Sequence, residues 1–591
     1  MNRFLMGNEA IALGALHSGV NVVCGYPGTP SSEILEAVAR EKDGSVYVEW
    51  SVNEKAALEV AAGASYAGAR TMVTMKQVGL NVASDPLMSL AYVGVKGGMV
   101  VVVADDPGPI SSQTEQDTRT FGMYSKLPVF DPSSPEEAYA MVADAFRLSE
   151  EHGTPVILRP TTRVCHGYAA VAVAEEKTAH TPEGFVRDSR WVIFPRTSFL
   201  NHQKIEARNA ALSSALSRYP KNAVTGAGRK GVAAGGVSYA YLLDALGDTP
   251  AKVLKVATPF PFPDELALSF LEGLDEVLVL EELDPVIERA LLQLAGRHHL
   301  PVRIRGKLTG DTSAAGENSV DSVRACLHAF LGAAPPPAPP ELPALPVRQP
   351  VLCAGCPHRG SFYAVKRAMA GKKAVFTGDI GCYTLGNAQP LDMVDTCLCM
   401  GADVTVAQGL YRVEPDVKHF AFIGDSTFFA SGLTGVANAV YNGCDLTIVV
   451  LDNSTTAMTG GQPHPGTGSL ATGAPAPKID IEGVLLALGV GKVVRANPFR
   501  LREAMEKVRE AAAFKGVSAV LFESPCINLA PRPKTLFAVD AAACTGCRAC
   551  IGQIGCPAVS MRAGRAYIEP SLCYGCSLCA QVCPHGAIKG V

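Results

Sequence analysis

His419-Phe-Ala-Phe-Ile-Gly-Asp-Ser426 and Leu446-Thr-Ile-Val-Val-Leu-Asp-Asn453 are two short apolar runs, each ending in a polar turn. Runs of this length and composition predict buried strands. The stretch from Phe428 to Tyr441 has the length of a crossover helix. A right-handed crossover lays the two strands side by side and parallel, so that Asp425 and Asn453 are neighbours. Their carboxyl ends then open on one crevice, where open α/β sheets bind ligands. One carboxylate and one amide oxygen suit a hard cation such as Mg2+, which completes its octahedron with phosphate and water oxygens. An ordinary strand-end turn carrying Asp reads the same way at this level.

Outward from this pair the pattern repeats. Ala374 to Thr377 and Ser518 to Phe522 predict further strands of the same unit. Near the start, Val20 to Cys24, Thr71 to Met75, Met99 to Ala104 and Pro155 to Leu158 alternate with helical stretches, the signature of a doubly wound parallel sheet. Residues of about 170 to 215 show no clear period. A second α/β unit follows, with Glu276 to Leu280 as a strand. Gly231-Val-Ala-Ala-Gly-Gly236 is too loose for a dinucleotide fingerprint and reads as a turn before a helix. Gly332 to Pro350, with Ala-Ala-Pro-Pro-Pro-Ala-Pro-Pro at its centre, is an extended linker between units. The pair of cysteine runs described next is the one internal repeat the sequence displays.

Eight of the eighteen cysteines fall within the final 48 residues, as Cys544-x2-Cys547-x2-Cys550-x5-Cys556-Pro and Cys573-x2-Cys576-x2-Cys579-x3-Cys583-Pro. This is the spacing of a two-cluster bacterial ferredoxin, in which each run gives three thiolates to one cube and its fourth to the other. The first run has five residues, not three, before its fourth cysteine, so Cys556 is expected on a longer loop. A disulfide scaffold or zinc knuckles are the alternatives, and zinc sites seldom come as two CxxCxxC runs ending in Cys-Pro.

The chain has 591 residues, 48% hydrophobic and 18% charged, with a formal net charge of −4. It is long enough for three or four domains, and its charge offers nothing to attract nucleic acid or an anionic membrane. The opening Met1-Asn-Arg-Phe-Leu-Met-Gly-Asn-Glu9 lacks the form of a secretory signal. Leu87 to Ala104 contains Lys96 and three glycines, and reads as helix, turn and buried strand instead of a membrane span. Cluster motifs and free cysteines together predict a reducing, cytoplasmic and anaerobic setting.

Gly424-Asp425-Ser426 followed by Asn453 resembles the thiamine-diphosphate motif, Gly-Asp-Gly and then Asn about thirty residues on, with Ser426 in place of the last glycine. The wider chain resembles the 2-oxoacid:ferredoxin oxidoreductase family, in particular the large subunits of its indolepyruvate branch. The resemblance rests on Tyr26-Pro-Gly-Thr-Pro-Ser-Ser-Glu33, Asn53-Glu-Lys55, Lys76-Gln-Val-Gly-Leu-Asn81, Cys353-Ala-Gly-Cys-Pro-His-Arg-Gly360, Gly378-Asp-Ile-Gly-Cys-Tyr-Thr-Leu-Gly386, Thr459-Gly-Gly-Gln-Pro-His-Pro-Gly466 and the cysteine tail.

The resemblance implies an α/β protein of doubly wound, thiamine-diphosphate-binding units with a two-cluster 4Fe-4S α+β module. The implied order is a pyrimidine-type thiamine-binding domain (1–185), a transketolase C-terminal-like domain (186–332), the linker (333–350), a diphosphate- and Mg-binding domain (351–532) and the ferredoxin domain (533–591). Asp425, Asn453 and the Thr455 carbonyl would hold Mg2+. Glu54 would face the cofactor's aminopyrimidine ring; a carboxylate at a helix start is its simpler reading.

The implied reaction turns an aryl 2-oxoacid and coenzyme A into an aryl-acetyl-CoA and CO2, with two electrons passed to an external ferredoxin. A smaller beta subunit resembling the gamma domain of related enzymes is expected, in a dimer of alpha–beta pairs. Thr29 and Ser31 lie in a turn entering a helix, where hydroxyls and amides can hold a carboxylate. Arg119 is a possible carboxylate clamp or a solvated loop arginine, and His464 could reach the reacting centre. Cys353, Cys356, Cys382 and Cys526 match contexts that hold a third, proximal 4Fe-4S cluster in related enzymes; buried free thiols are the alternative. Other readings are an oxidoreductase for pyruvate or branched-chain oxoacids, an electron-transfer subunit with an inert thiamine domain, and a non-oxidative decarboxylase.

Overall fold

The computed structural model describes residues 2–41, 44–332, 343–346, 348–531 and 535–591. Most of the proline-rich linker, and the expected start of the ferredoxin domain at Pro533, lie outside the described residues. The chain forms two compact units, residues 1–342 and 343–591.

In the first unit, Met99–Ala104 is a run of apolar residues buried at every position, the pattern of a central strand covered on both faces. It pairs in parallel with Thr71–Lys76 and Val156–Leu158. The full sheet has six strands, Tyr47–Trp50, Val22–Gly25, Thr71–Lys76, Met99–Ala104, Val156–Leu158 and Val129–Phe130 in spatial order. A second sheet of five strands has Lys230–Gly235 at its centre, followed at once by the helix Gly236–Leu246. The glycine run there serves a strand-to-helix turn. The stretch without a clear period holds the strand Tyr168–Ala172, paired antiparallel with Asn2–Met6, and a 22-residue helix, Pro195–Leu216.

The second unit carries another six-stranded parallel sheet: Thr396–Cys397, Ala374–Gly378, Lys418–Gly424, Leu446–Asp452, Val517–Glu523 and Lys492–Ala496. Counted along the chain within its own sheet, each six-stranded sheet has the order 2-1-3-4-6-5. The fold is therefore duplicated, a repeat no residue pattern displays. In both sheets the order reverses between strands one and three, and this switch point opens a crevice at the strand carboxyl ends. Asp425 stands at the switch point of the second unit.

The cysteine-rich tail forms two small antiparallel pairs, Phe537–Val539 with Ile588–Gly590 and Val559–Arg562 with Arg565–Ile568. Each is accompanied by a short helix, Ala549–Ile554 or Leu578–Gln581. Among the described residues no helix is long and apolar enough to cross a membrane.

Candidate functional site

Asp425 begins a helix that does not run regularly. Asp425–Thr427 is one α turn, Phe428–Gly432 is a π turn, and Leu433–Tyr441 resumes the α-helix. The crossover expected over Phe428 to Tyr441 thus carries an extra backbone residue beside the crevice, a distortion often found at functional sites. Asp425 accepts from the Ser426 amide at 3.0 Å and the Asn453 amide at 3.2 Å. His464 Nε2 lies 3.1 Å from its Oδ2. Burial pushes the Asp425 carboxyl upward, but the His464 hydrogen bond and charge outweigh it and hold the pKa below the usual carboxylate range. Its neighbour Asp452 is raised to about 6 by burial and then by the charge of Asp425.

Asn453 and Thr455 are joined by Ser454, whose φ of 61° puts a non-glycine residue in the left-handed region. Such backbone is costly and clusters at ligand-binding turns. Here it lets the Thr455 amide donate to Asn453 Oδ1 at 3.2 Å. The amide nitrogen of Asn453 lies 3.2 Å from His358 Nε2. Burial drives His358 down to about 4, so its ring is neutral near pH 7 and accepts from the amide. This orients the Asn453 oxygen. An anionic carboxylate, an oriented amide oxygen and a buried turn fit a hard cation bridging to phosphate. His358 was visible in Cys-Pro-His358 but carried no assigned role; only the long-range contact reveals one.

Glu54 lies in the first unit. Asn53 caps its helix, Glu54–Tyr66, through an Oδ1 that accepts from the Ala56 amide at 2.9 Å. The carboxyl is buried and its pKa is raised to about 7, chiefly by burial, with Lys76 pulling the other way. It packs directly over Gly79, where a Cβ would collide with Oε1. A neutralisable carboxyl in a cradle shaped by a missing side chain fits the role of hydrogen-bonding a ring nitrogen and exchanging its proton.

The tail cysteines fall into two groups. Cys544, Cys547, Cys550 and Cys583 line one small cavity, and Cys556, Cys573, Cys576 and Cys579 line another. Each fourth cysteine thus stands with the other run's three. The longer spacer before Cys556 is taken up by the helix Ala549–Ile554 and Gly555, at φ 63°. The remaining candidates lie within electrostatic reach of one another. Burial raises Cys356 to about 12, with Arg359 pulling the other way and the thiols of Cys382 and Cys353 adding to the rise. Cys382 rises to about 11 by burial, with Cys526 and Cys353 beside it. Cys526 donates its amide to the Asn453 carbonyl at 2.8 Å. Among the described residues no three His, Cys, Asp or Glu side chains converge on a single-ion point. A cube, unlike a single ion, takes its thiolates at four separate corners.

Of the three expected substrate contacts, Arg119 and Ser31 are committed elsewhere. Arg119 is 1% exposed and fully engaged. It bonds Asp117 at 2.7 Å, Glu281 at 2.9 Å and the carbonyls of Glu282 and Asp284. Neither clamp nor solvated loop residue, it is a buried tie between the first sheet and the loop after Glu276–Leu280. The Ser31 hydroxyl donates to the Gly28 carbonyl at 2.8 Å and is buried, which commits it to the turn. Thr29 is half-buried, and its carbonyl accepts from Ser111 Oγ at 3.3 Å.

Three families match parts of the chain. "Pyruvate flavodoxin/ferredoxin oxidoreductase, thiamine diP-bdg" matches residues 13–201, "Thiamine pyrophosphate enzyme, C-terminal TPP binding domain" 379–522, and "4Fe-4S binding domain" 566–589. Fold and site together define a 2-oxoacid:ferredoxin oxidoreductase with thiamine-diphosphate and 4Fe-4S binding domains. "Indolepyruvate oxidoreductase subunit IorA" of Methanothermobacter thermautotrophicus is 43% identical, over 99% of this chain and 97% of that protein. Its namesake in Pyrococcus horikoshii is 40% identical, over 99% and 96%. A solved 2-oxoglutarate:ferredoxin oxidoreductase from Magnetococcus marinus overlaps 52% of this chain and 62% of that one, at TM-score 0.43 and 18% identity. The chain belongs to the IorA family of indolepyruvate oxidoreductase subunits.

Proposed function

We propose that the chain oxidatively decarboxylates aryl 2-oxoacids of the indolepyruvate and phenylpyruvate type. A 2-oxoacid anion and the thiol of coenzyme A give an acyl-CoA, CO2, one proton and two electrons, and ferredoxin accepts the electrons. The observation that carries this reading is the direct link between cation motif and cysteines. The Cys526 amide bonds the Asn453 carbonyl, and His358, two residues after Cys356, bonds the Asn453 side chain.

Thiamine diphosphate, when bound, supplies the carbanion chemistry that breaks the bond to the carboxyl carbon. Asp425 and Asn453, with the Thr455 carbonyl, would hold Mg2+ at the diphosphate end of the cofactor. Glu54 would hydrogen-bond the aminopyrimidine and hold the proton exchanged there. His464, whose Nε2 lies 3.1 Å from Asp425, would stand near the reacting atoms. Thr29 remains a candidate for the substrate carboxylate. The cysteines of the two tail cavities would each hold a 4Fe-4S cube, and Cys353, Cys356, Cys382 and Cys526 would hold a third. Two electrons leaving one at a time need such one-electron acceptors close by.

The domain limits set out above are part of this proposal, as is a smaller beta subunit, since the relatives are named as subunits. The test is ferredoxin reduction by the co-purified complex with coenzyme A. Indolepyruvate and phenylpyruvate should reduce ferredoxin faster than pyruvate or a branched-chain oxoacid. Preference for pyruvate would overturn the aryl assignment, and full activity of the chain without its partner would overturn the heteromer.

A further inference from the structure

Arg359 is 3% exposed and stands three residues after Cys356, in the first turn of the helix Pro357–Ala368. Its guanidinium donates only to backbone carbonyls. Nε bonds Cys353 at 3.2 Å, Nη2 bonds Leu352, and Nη1 bonds Ile554 at 3.0 Å and Gly555 at 2.6 Å. Gly555 directly precedes Cys556. One side chain therefore ties the backbone of a candidate proximal ligand to the residue before a candidate tail ligand.

Two further contacts fix this junction. Gly355, inside the Cys353–Cys356 turn, lines the cavity of Cys556, Cys573, Cys576 and Cys579. At φ +78°, it abuts Tyr574, where a Cβ would collide with the ring. Tyr363, one helical turn after Arg359, donates to Gln553 at 2.8 Å. The other tail cavity, that of Cys544, Cys547, Cys550 and Cys583, is lined by no residue of the Cys353–Cys356 turn.

A buried guanidinium facing only carbonyls is costly unless anionic groups stand nearby. Among the described residues Arg359 makes no ion pair with Asp or Glu. Burial pushes its own pKa down, and the thiols of Cys556, Cys356, Cys353 and Cys576, which would be anionic as cluster ligands, are the groups that pull it back up. Thiolate-held cubes carry the missing negative charge, and their potentials respond to nearby charge and hydrogen bonds.

We propose that Arg359 is the positioning and charge-setting residue between two cubes, the one held by Cys353, Cys356, Cys382 and Cys526 and the one held by Cys556, Cys573, Cys576 and Cys579. The latter is then the first tail acceptor, and the Cys544, Cys547, Cys550 and Cys583 cube is the outermost. One electron crosses at a time, oxidising the inner cube and reducing its tail neighbour, with no bond made or broken. This inference rests on the three-cube reading above.

The test uses the holo-complex with Arg359→Gln, which removes the charge and keeps an amide donor. Iron content is measured first, because a native complex short of the third cube's iron sinks the three-cube reading and not the role of Arg359 beside the tail. An EPR-monitored redox titration follows. Loss of the positive charge should move two cube potentials to more negative values and leave the third in place, while Arg359→Lys keeps all three near native. Unmoved potentials, or equal shifts in all three, would overturn the proposal. Arg359→Lys also provides an independent kinetic measurement, for which assembly of the Gln variant is not needed. It cannot bracket four carbonyls, so transfer from the inner cube into the tail after rapid mixing with substrate should slow several-fold. A native transfer rate would overturn the positioning role.

Discussion

His464 Nε2 lies 3.1 Å from Oδ2 of Asp425, and both side chains are 4% exposed. The histidine comes from a Gly/Pro-rich loop, the aspartate from a strand end 39 residues earlier, so only the fold brings them together. This pair joins the candidate cation ligand to the candidate proton carrier.

His464→Ala should separate those two duties. Asp425 keeps its amide donors from Ser426 and Asn453, so thiamine diphosphate and Mg2+ affinity should change less than about threefold. Turnover should fall by about 10²-fold or more, the usual scale for losing a positioned acid–base group. Calorimetric titration of the cofactor and steady-state rates check this; a cofactor affinity lost in parallel with turnover would make His464 a structural support.

Glu54→Gln should abolish turnover and leave the visible absorbance of the clusters unchanged. It also has a signature in stability. The folded pKa of about 7 lies above the ordinary glutamate value of 4.5, so the folded state holds the extra proton between those values. Stability of the cofactor-free chain therefore falls as pH rises through that window and levels off above about 7, a loss of about 3 kcal/mol. The Gln variant lacks this loss. It should be more stable than the native chain at pH 8 and equal to it near pH 4.5, read by urea unfolding at each pH.

Gly79→Ala places a methyl where the Glu54 carboxylate sits. The helix Gln77–Val93 should keep its fold, because alanine favours helix more than glycine does. Displacing the carboxylate should still lower kcat by about tenfold or more. Equal kcat in a folded variant would show that the cradle does not set the Glu54 position.

Cys382→Ala in the holo-complex should reduce iron from about twelve to about eight per chain, with both tail cubes intact. Deleting the tail is a harsher experiment, since Ile554 and Leu578 share a core with Tyr363 and Leu501. Iron assay and EPR of the reduced protein decide it: an unchanged iron count would remove Cys382 from ligation.

What the sequence revealed follows the range of the interactions involved. Met99–Ala104 and Leu446–Asp452 were legible because an unbroken apolar strand states its own burial. Val129–Phe130 and Thr396–Cys397 were not, since two residues carry no period. The shared strand order of the two six-stranded sheets leaves no mark at residue level. Arg119 was misread because its partners Glu281, Glu282 and Asp284 lie more than 160 positions away. His358 and Arg359 stood in plain view beside Cys356, but their partners Asn453 and Gly555 are likewise distant in the chain.

The central claim is that the thiamine site feeds electrons to this chain's own clusters. It is tested most directly by mixing the anaerobic, oxidised holo-complex with indolepyruvate, without external ferredoxin, and following cluster bleaching and EPR. The account predicts prompt cluster reduction in the native complex. It predicts none in Asp425→Ala, although dithionite still reduces that variant. Native clusters that stay oxidised with thiamine diphosphate and substrate bound would contradict it.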